Sequence, residues 1–198
     1  MHTTKISNGV KPRLLLHSCC APCSIYVLKE LAKDYELSIF FYDPNIHPRL
    51  EYIKRRDEMK GYAKKIGVSF AEGEYDSANW IVKTRGLENE PERGKRCEVC
   101  FDIRLSQTAK KAKAEGYDLW TTVMSISPHK DVSQINMVAN KLARVYDIKF
   151  LEADWKKNNG FKIASQMSKE EGFYRQDYCG CIYSKIARDR KKMKQHEN

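Results

Sequence analysis

The chain has 198 residues, enough for one α/β domain with an ordinary core and few for two, so a single domain over 1–198 is expected. Hydrophobic residues make up 41%, charged residues 31%, and mean hydropathy is −0.66, which excludes the membrane-embedded and disordered classes. Lys and Arg outnumber Asp and Glu 36 to 26, and the net charge of +10 favours a polyanionic partner, although an ordinary basic surface has the same balance.

Residues 1–12 are expected to be a disordered lead-in. The only apolar run near the start is Leu14–Leu16, too short for a secretory leader, and no run approaches the roughly 20 residues of a membrane span, so a cytoplasmic location without membrane contact is expected. Arg13 to Ser18 reads as a buried strand, and Ile25, Leu28, Leu31 and Ala32 mark a helix over 24–33. A strand over 37–42 runs into Asp-Pro-Asn-Ile-His-Pro, whose two prolines predict a rigid loop before a charged helix over 51–65. A strand over 68–72, a short helix over 77–85 and a polar loop over 86–96 follow. Cys97, Phe101, Leu105, Thr108 and Ala112 recur at helical steps, with Cys100 beside Phe101 on the inward face and Gly116 past the end. A strand over 118–124, a helix over 132–146, a strand over 148–153 and a basic C-terminal helix over 185–198 complete the chain. Strands alternating with helices predict a doubly wound, mostly parallel α/β sheet, which binds ligands beyond the carboxyl ends of its strands.

All seven cysteines fall in three tight groups: Cys19/Cys20/Cys23, Cys97/Cys100 and Cys179/Cys181. An odd number in a reducing compartment points to metal or redox chemistry rather than a disulfide framework. The first group sits at a strand-to-helix turn and the second at a helix start, where free N–H groups and the dipole stabilise thiolates. Four such cysteines suit an iron–sulfur cluster, and they equally suit structural zinc. Cys179-Gly180-Cys181 reads as either a small, easily reduced disulfide or two further metal ligands. Cys23 is left as a second-metal ligand, a proton donor or a buried small hydrophobe.

Asp43, His47 and His129 lie on loops at the expected active edge, where they could bind substrate or move protons. His17, Trp120 and Trp155 read as core residues. Tyr174, Arg175 and Tyr178 flank the third cysteine group and could stack an extruded nucleoside.

Five segments carry a resemblance: LLLHSCCAPCS (14–24), FYDPNIHP (41–48), RCEVCFDIRL (96–105), TTVMSISPHKD (121–131) and YRQDYCGCIYS (174–184). Together they resemble the QueH family of epoxyqueuosine reductases over nearly the whole chain. The resemblance implies reduction of the epoxide of epoxyqueuosine at the tRNA wobble position, giving queuosine in the last step of that pathway. It implies a 4Fe-4S cluster on Cys19, Cys20, Cys97 and Cys100, a redox-active pair in Cys179 and Cys181, and an external electron donor. A further mononuclear iron is also implied, with Cys23 and Asp102 as its neighbours by sequence. The resemblance extends in fold to PP-loop/HUP-type Rossmann-like hydrolases, but the first turn, HSCCAPC, has no glycine to cradle a pyrophosphate. The basic run Arg188–Lys194 is expected to hold the tRNA backbone, or to be a solvated helix face. Two rival readings stand beside this one: a non-catalytic zinc module that binds RNA, and an ATP-dependent tRNA thiolation enzyme.

Overall fold

A computed structural model describes residues 10–196. Most of the expected 1–12 lead-in, like the last two residues of the C-terminal helix expectation, therefore lies outside the described residues. Strands β1 (Arg13–His17), β2 (Glu36–Phe41), β3 (Ser69–Glu72), β4 (Leu119–Thr122) and β5 (Lys149–Phe150) form one sheet in the order β3-β2-β1-β4-β5. Every pairing is parallel, with Leu14 opposite both Leu37 and Leu119. The expected doubly wound α/β architecture is present.

The two faces of the sheet explain the continuous Leu14-Leu15-Leu16 run. Leu14 and Leu16 point into a core shared with α1 (Ala21–Leu31), α2 (Arg49–Lys65) and α6 (Gly160–Glu170). Leu15 points the other way, into a core shared with α3 (Ser77–Lys83), α4 (Lys95–Ala114) and α5 (Val132–Val145). A strand covered on both sides has no polar face to alternate with. Trp120 is fully buried against Phe150, and Trp155 packs partly buried with its indole N–H donating to Thr122 O at 3.2 Å, as core residues should.

Several boundaries differ from the pattern-based ones. Helix α1 starts at Ala21 rather than 24, because Pro22 fits a first turn whose N–H groups need no helical partner. Strand β4 stops at Thr122 instead of 124: the Thr122 hydroxyl accepts from Met124 N at 3.1 Å and caps a 3-10 turn over Val123–Ile126. The edge strand β5 is two residues rather than six, pairing only Lys149 and Phe150 with Leu119 and Trp120. The C-terminal helix α7 (Ile182–His196) begins three residues before the expected start. No described helix is long and apolar enough to cross a membrane.

Strand order reverses between β1 and β4, so the crevice beyond their carboxyl ends is the switch point at which such sheets bind ligands. Cys19 and Cys20 follow β1 into that crevice, and the segment from Ser125 to Lys130 follows β4.

Candidate active site

A cavity of about 460 Å³ opens at this switch point, and Cys19, Cys23, Cys97, Cys100, Cys179 and Cys181 all line it. Three helix starts deliver them. Cys20 is the residue before α1 and Cys23 lies in its first turn; Cys97 lies in the first turn of α4; Cys181 immediately precedes α7, where its Sγ accepts from Ser184 N at 3.4 Å. Each helix N-terminus presents unpaired N–H groups and the positive end of its dipole to sulfur. Cys20 sits one layer behind, fully buried, its Sγ accepting from Gln176 Nε2 at 3.2 Å.

All seven cysteines are free thiols, with no disulfide between Cys179 and Cys181. Burial pushes the Cys100 thiol up to about 12. For Cys20 a hydrogen bond with Cys19 acts downward, but one with Cys23 and burial together lift it to about 12. Cys19 is raised by its hydrogen bond with Cys20 and by burial. Burial likewise raises Cys97 and Cys181, against the Arg93 N–H on the former and Ser184 on the latter. An apolar cavity thus keeps these thiols protonated until a cation replaces the protons.

Cations surround the sulfurs. Arg104 is buried at 2% exposure, one turn beyond Cys100, and pairs with the buried Asp43 at 2.5 Å in a close but poorly aligned contact. Asp43 therefore lies beneath the cavity instead of lining it. Burial lifts its carboxyl pKa, with the Arg104, Arg55 and Lys130 charges acting the other way. His17 Nε2 lies 3.8 Å from the same carboxylate and its Nδ1 meets Thr122 Oγ1 at 2.8 Å; burial and then Arg104 push its pKa down, so it is a neutral core residue.

Arg55, also buried, donates to the carbonyls of Cys179 at 3.2 Å and Tyr178 at 3.4 Å while Glu51 holds it at 2.7 Å. His47 N donates to Gly180 O at 2.7 Å, so His47 acts on the Cys179-Gly180-Cys181 turn through its backbone. Gly180 has φ +126, and a Cβ there would meet Ile46 and Arg55 at 3.1 and 3.2 Å.

His129, Arg175 and Tyr178 line the cavity. Tyr174 does not; Lys54 covers its ring at 3.3 Å. Arg188 and Lys191 of the basic helix reach the cavity rim, where Arg188 is paired with Asp177 and Asp189. Asp102 is displaced from its expected place. It is 46% exposed, faces Lys141 at 3.9 Å and is absent from the cavity wall, because two residues along a helix turn a side chain roughly 200° away from Cys100.

Arg55, Arg104, Lys130 and Trp80 were missed from the sequence, and all four line the cavity. The helical step was a usable signal for Arg104, which stands seven and four residues after Cys97 and Cys100. Nothing local marks Arg55, whose role depends on contacts across more than a hundred residues.

A family profile described as epoxyqueuosine reductase QueH matches residues 14–187. The chain belongs to the QueH epoxyqueuosine reductase family. It is an enzyme, an oxidoreductase. QueH of Haemophilus influenzae is 45% identical over 174 residues, covering 87% of this chain and 71% of that protein. QueH of Acinetobacter baylyi is 43% identical, covering 92% and 85%, and that of Thermotoga maritima 33%, covering 90% and 93%. By fold, the chain is similar to the U34-tRNA thiolase NcsA of Methanococcus maripaludis, solved with its 4Fe-4S cluster, at TM-score 0.56 and 14% identity over 92% of this chain and 67% of that one. At that identity the likeness is one of fold. A predicted tRNA methyltransferase subunit of Methanocaldococcus jannaschii has TM-score 0.53 and 11% identity, covering 83% and 93%.

Asp102 turns away from the cavity that Cys23 lines, so the two neighbours expected for a separate mononuclear iron are not brought together. A four-iron cluster makes a different demand, since each iron takes one thiolate and the ligands approach from separate sides. Thiols from two helix starts, Cys19, Cys20 and Cys100 buried and Cys97 partly so, with Arg104 on the same cavity wall, fit an anionic cluster of that kind.

Proposed function

We propose that this chain reduces epoxyqueuosine in tRNA to queuosine at the wobble position, the last step of queuosine synthesis, in the cytoplasm. The observation that carries the reading is the convergence of six cysteines, from three distant segments, on one cavity at the sheet's switch point. Cys19, Cys20, Cys97 and Cys100 would hold a 4Fe-4S cluster, which supplies one-electron redox capacity and Lewis acidity when bound.

Cys179 and Cys181 act as the dithiol. Both C–O bonds of the epoxide break and a C=C bond forms; the two thiols give two electrons and two protons, the oxygen leaves as water, and one S–S bond remains. An external electron donor then reduces that bond. Gly180 and Arg55 hold the turn so that both sulfurs face the cavity. The apolar wall keeps water from competing, and Cys23 and His129 stand within the same enclosure to relay protons. Arg188 and Lys191 at the rim meet the tRNA backbone.

Anaerobic purification with iron, sulfide and zinc analysis, followed by multiple-turnover conversion of epoxyqueuosine-containing tRNA with a chemical reductant, tests this. The expected result is about four irons and four sulfides per chain, with turnover lost in Cys179→Ser and Cys181→Ser. Stoichiometric zinc without sulfide after anaerobic reconstitution, or full turnover in either serine variant, would sink the corresponding part.

A further inference from the structure

The loop after β4 carries Lys130 to the cavity, and its backbone is gripped from outside. Arg93 donates to the carbonyls of Pro128 at 2.8 Å and His129 at 3.3 Å, and Lys156 Nζ donates to Lys130 O at 3.2 Å. Asp131, the adjacent carboxylate, is occupied as the cap of α5, accepting from Ser133 N at 2.8 Å and Gln134 N at 3.3 Å.

The other deep cations here have partners: Arg104 has Asp43, Arg55 has Glu51, and Arg96 donates to the carbonyls of Leu87, Glu88 and Glu90. Among the described residues the Lys130 ammonium makes no ion pair, and the carboxylate that feels its charge, Asp43, is already paired with Arg104. The groups whose charge it feels most are the sulfurs of Cys179, Cys19 and Cys23 and the Arg104 guanidinium, with Asp43 further off behind Arg104. A half-buried cation with no ion-pair partner of its own, carried to a cavity wall by a held backbone, is an arrangement that folding alone does not favour. It suits negative charge that arrives with a ligand or develops during a reaction.

We propose that Lys130 is a catalytic residue: its ammonium donates a hydrogen bond to the epoxide oxygen and stabilises the negative charge that gathers there as the C–O bonds break. The electrons and both protons of the resulting water still come from the Cys179 and Cys181 thiols, so Lys130 is unchanged over the cycle. Lys130 lines the same cavity as Cys179, Cys181 and Cys19, so an epoxide within reach of the dithiol lies in the enclosure that the ammonium faces. This inference rests on the reductase reading above.

The test compares wild type, Lys130→Met and Lys130→Arg, all reconstituted anaerobically, for kcat, for affinity toward epoxyqueuosine-containing tRNA, and for iron content and visible spectrum. Removing one such donor costs about 100-fold in kcat, so Lys130→Met should lose about that much with tRNA affinity and iron content unchanged. Lys130→Arg should recover at least about tenfold of it, because the charge returns. Lys130→Met within threefold of wild type, a loss confined to tRNA affinity, or a loss that follows iron content would each overturn the proposal. Lys130→Gln replaces the Met variant if that one does not fold. An inactive wild type with a full cluster would instead refute the reductase reading.

Discussion

Asp43→Asn removes the carboxylate that compensates Arg104 in the interior. Both side chains are essentially excluded from water, at 0% and 2% exposure, and their contact of 2.5 Å is the ion pair that lets Arg104 remain charged there. Removing one partner of a buried pair costs about 3–5 kcal/mol, because the survivor keeps its desolvation penalty. The poor alignment of this contact places the expected loss near the lower end. At about 2–4 °C per kcal/mol for a chain of this size, the unfolding midpoint of the metal-free protein should fall by roughly 6–12 °C. Arg104→Met should behave differently with pH. Without the Arg104 charge, burial raises the Asp43 pKa further, so the folded form binds this proton more tightly than the unfolded chain. Its stability is then fully present below the unfolded carboxylate pKa, about 3.9, and declines as pH rises toward the folded value. The double variant should lose less than the sum of the two singles. Thermal unfolding followed by circular dichroism under anaerobic, metal-free conditions measures all three. An Asp43→Asn midpoint within about 2 °C of the parent, or singles additive within about 0.5 kcal/mol, would refute the reasoning.

Gly180→Ala should disable the cysteine turn, since φ of +126 disfavours any side chain and the new Cβ would press on Ile46 and Arg55; a cost of about 1–3 kcal/mol and loss of turnover are expected, and unchanged turnover would contradict it. Arg55→Met removes two hydrogen bonds to the carbonyls of Tyr178 and Cys179, and should lower turnover by about 10- to 100-fold while iron content is kept; equal rates would show that the turn holds itself. Raising pH should destabilise the metal-free chain. The Cys20 and Cys100 thiols are lifted to about 12 in the fold, so their contribution is complete below about 8.5 and is lost as pH climbs from there toward 12; urea midpoints at about pH 8 and about pH 10 decide it, and a midpoint that holds or rises goes against the argument. Asp131→Ala removes the cap of α5 and should cost about 1 kcal/mol, readable as a midpoint shift of about 2–4 °C.

Local chemistry was legible without coordinates. The Leu14–Leu16 run announces a strand covered on both faces, the strand–helix alternation announces a parallel sheet, and close cysteine spacing announces sulfur at turns and helix starts. Each follows from the short-range periods of helix and strand. The reach of those periods also explains Asp102: nearness in sequence suggested nearness to Cys100, and the helical turn puts its carboxylate toward Lys141. What tertiary structure alone decided is which distant segments meet. The strand order β3-β2-β1-β4-β5 brings the starts of α1, α4 and α7 to one crevice. It also places Asp43 against Arg104, Arg55 behind Cys179 and Lys130 on the cavity wall with the thiols. Those contacts join residues separated by dozens to more than a hundred positions, and they are selected by burial and charge compensation across the whole core, which no local pattern encodes.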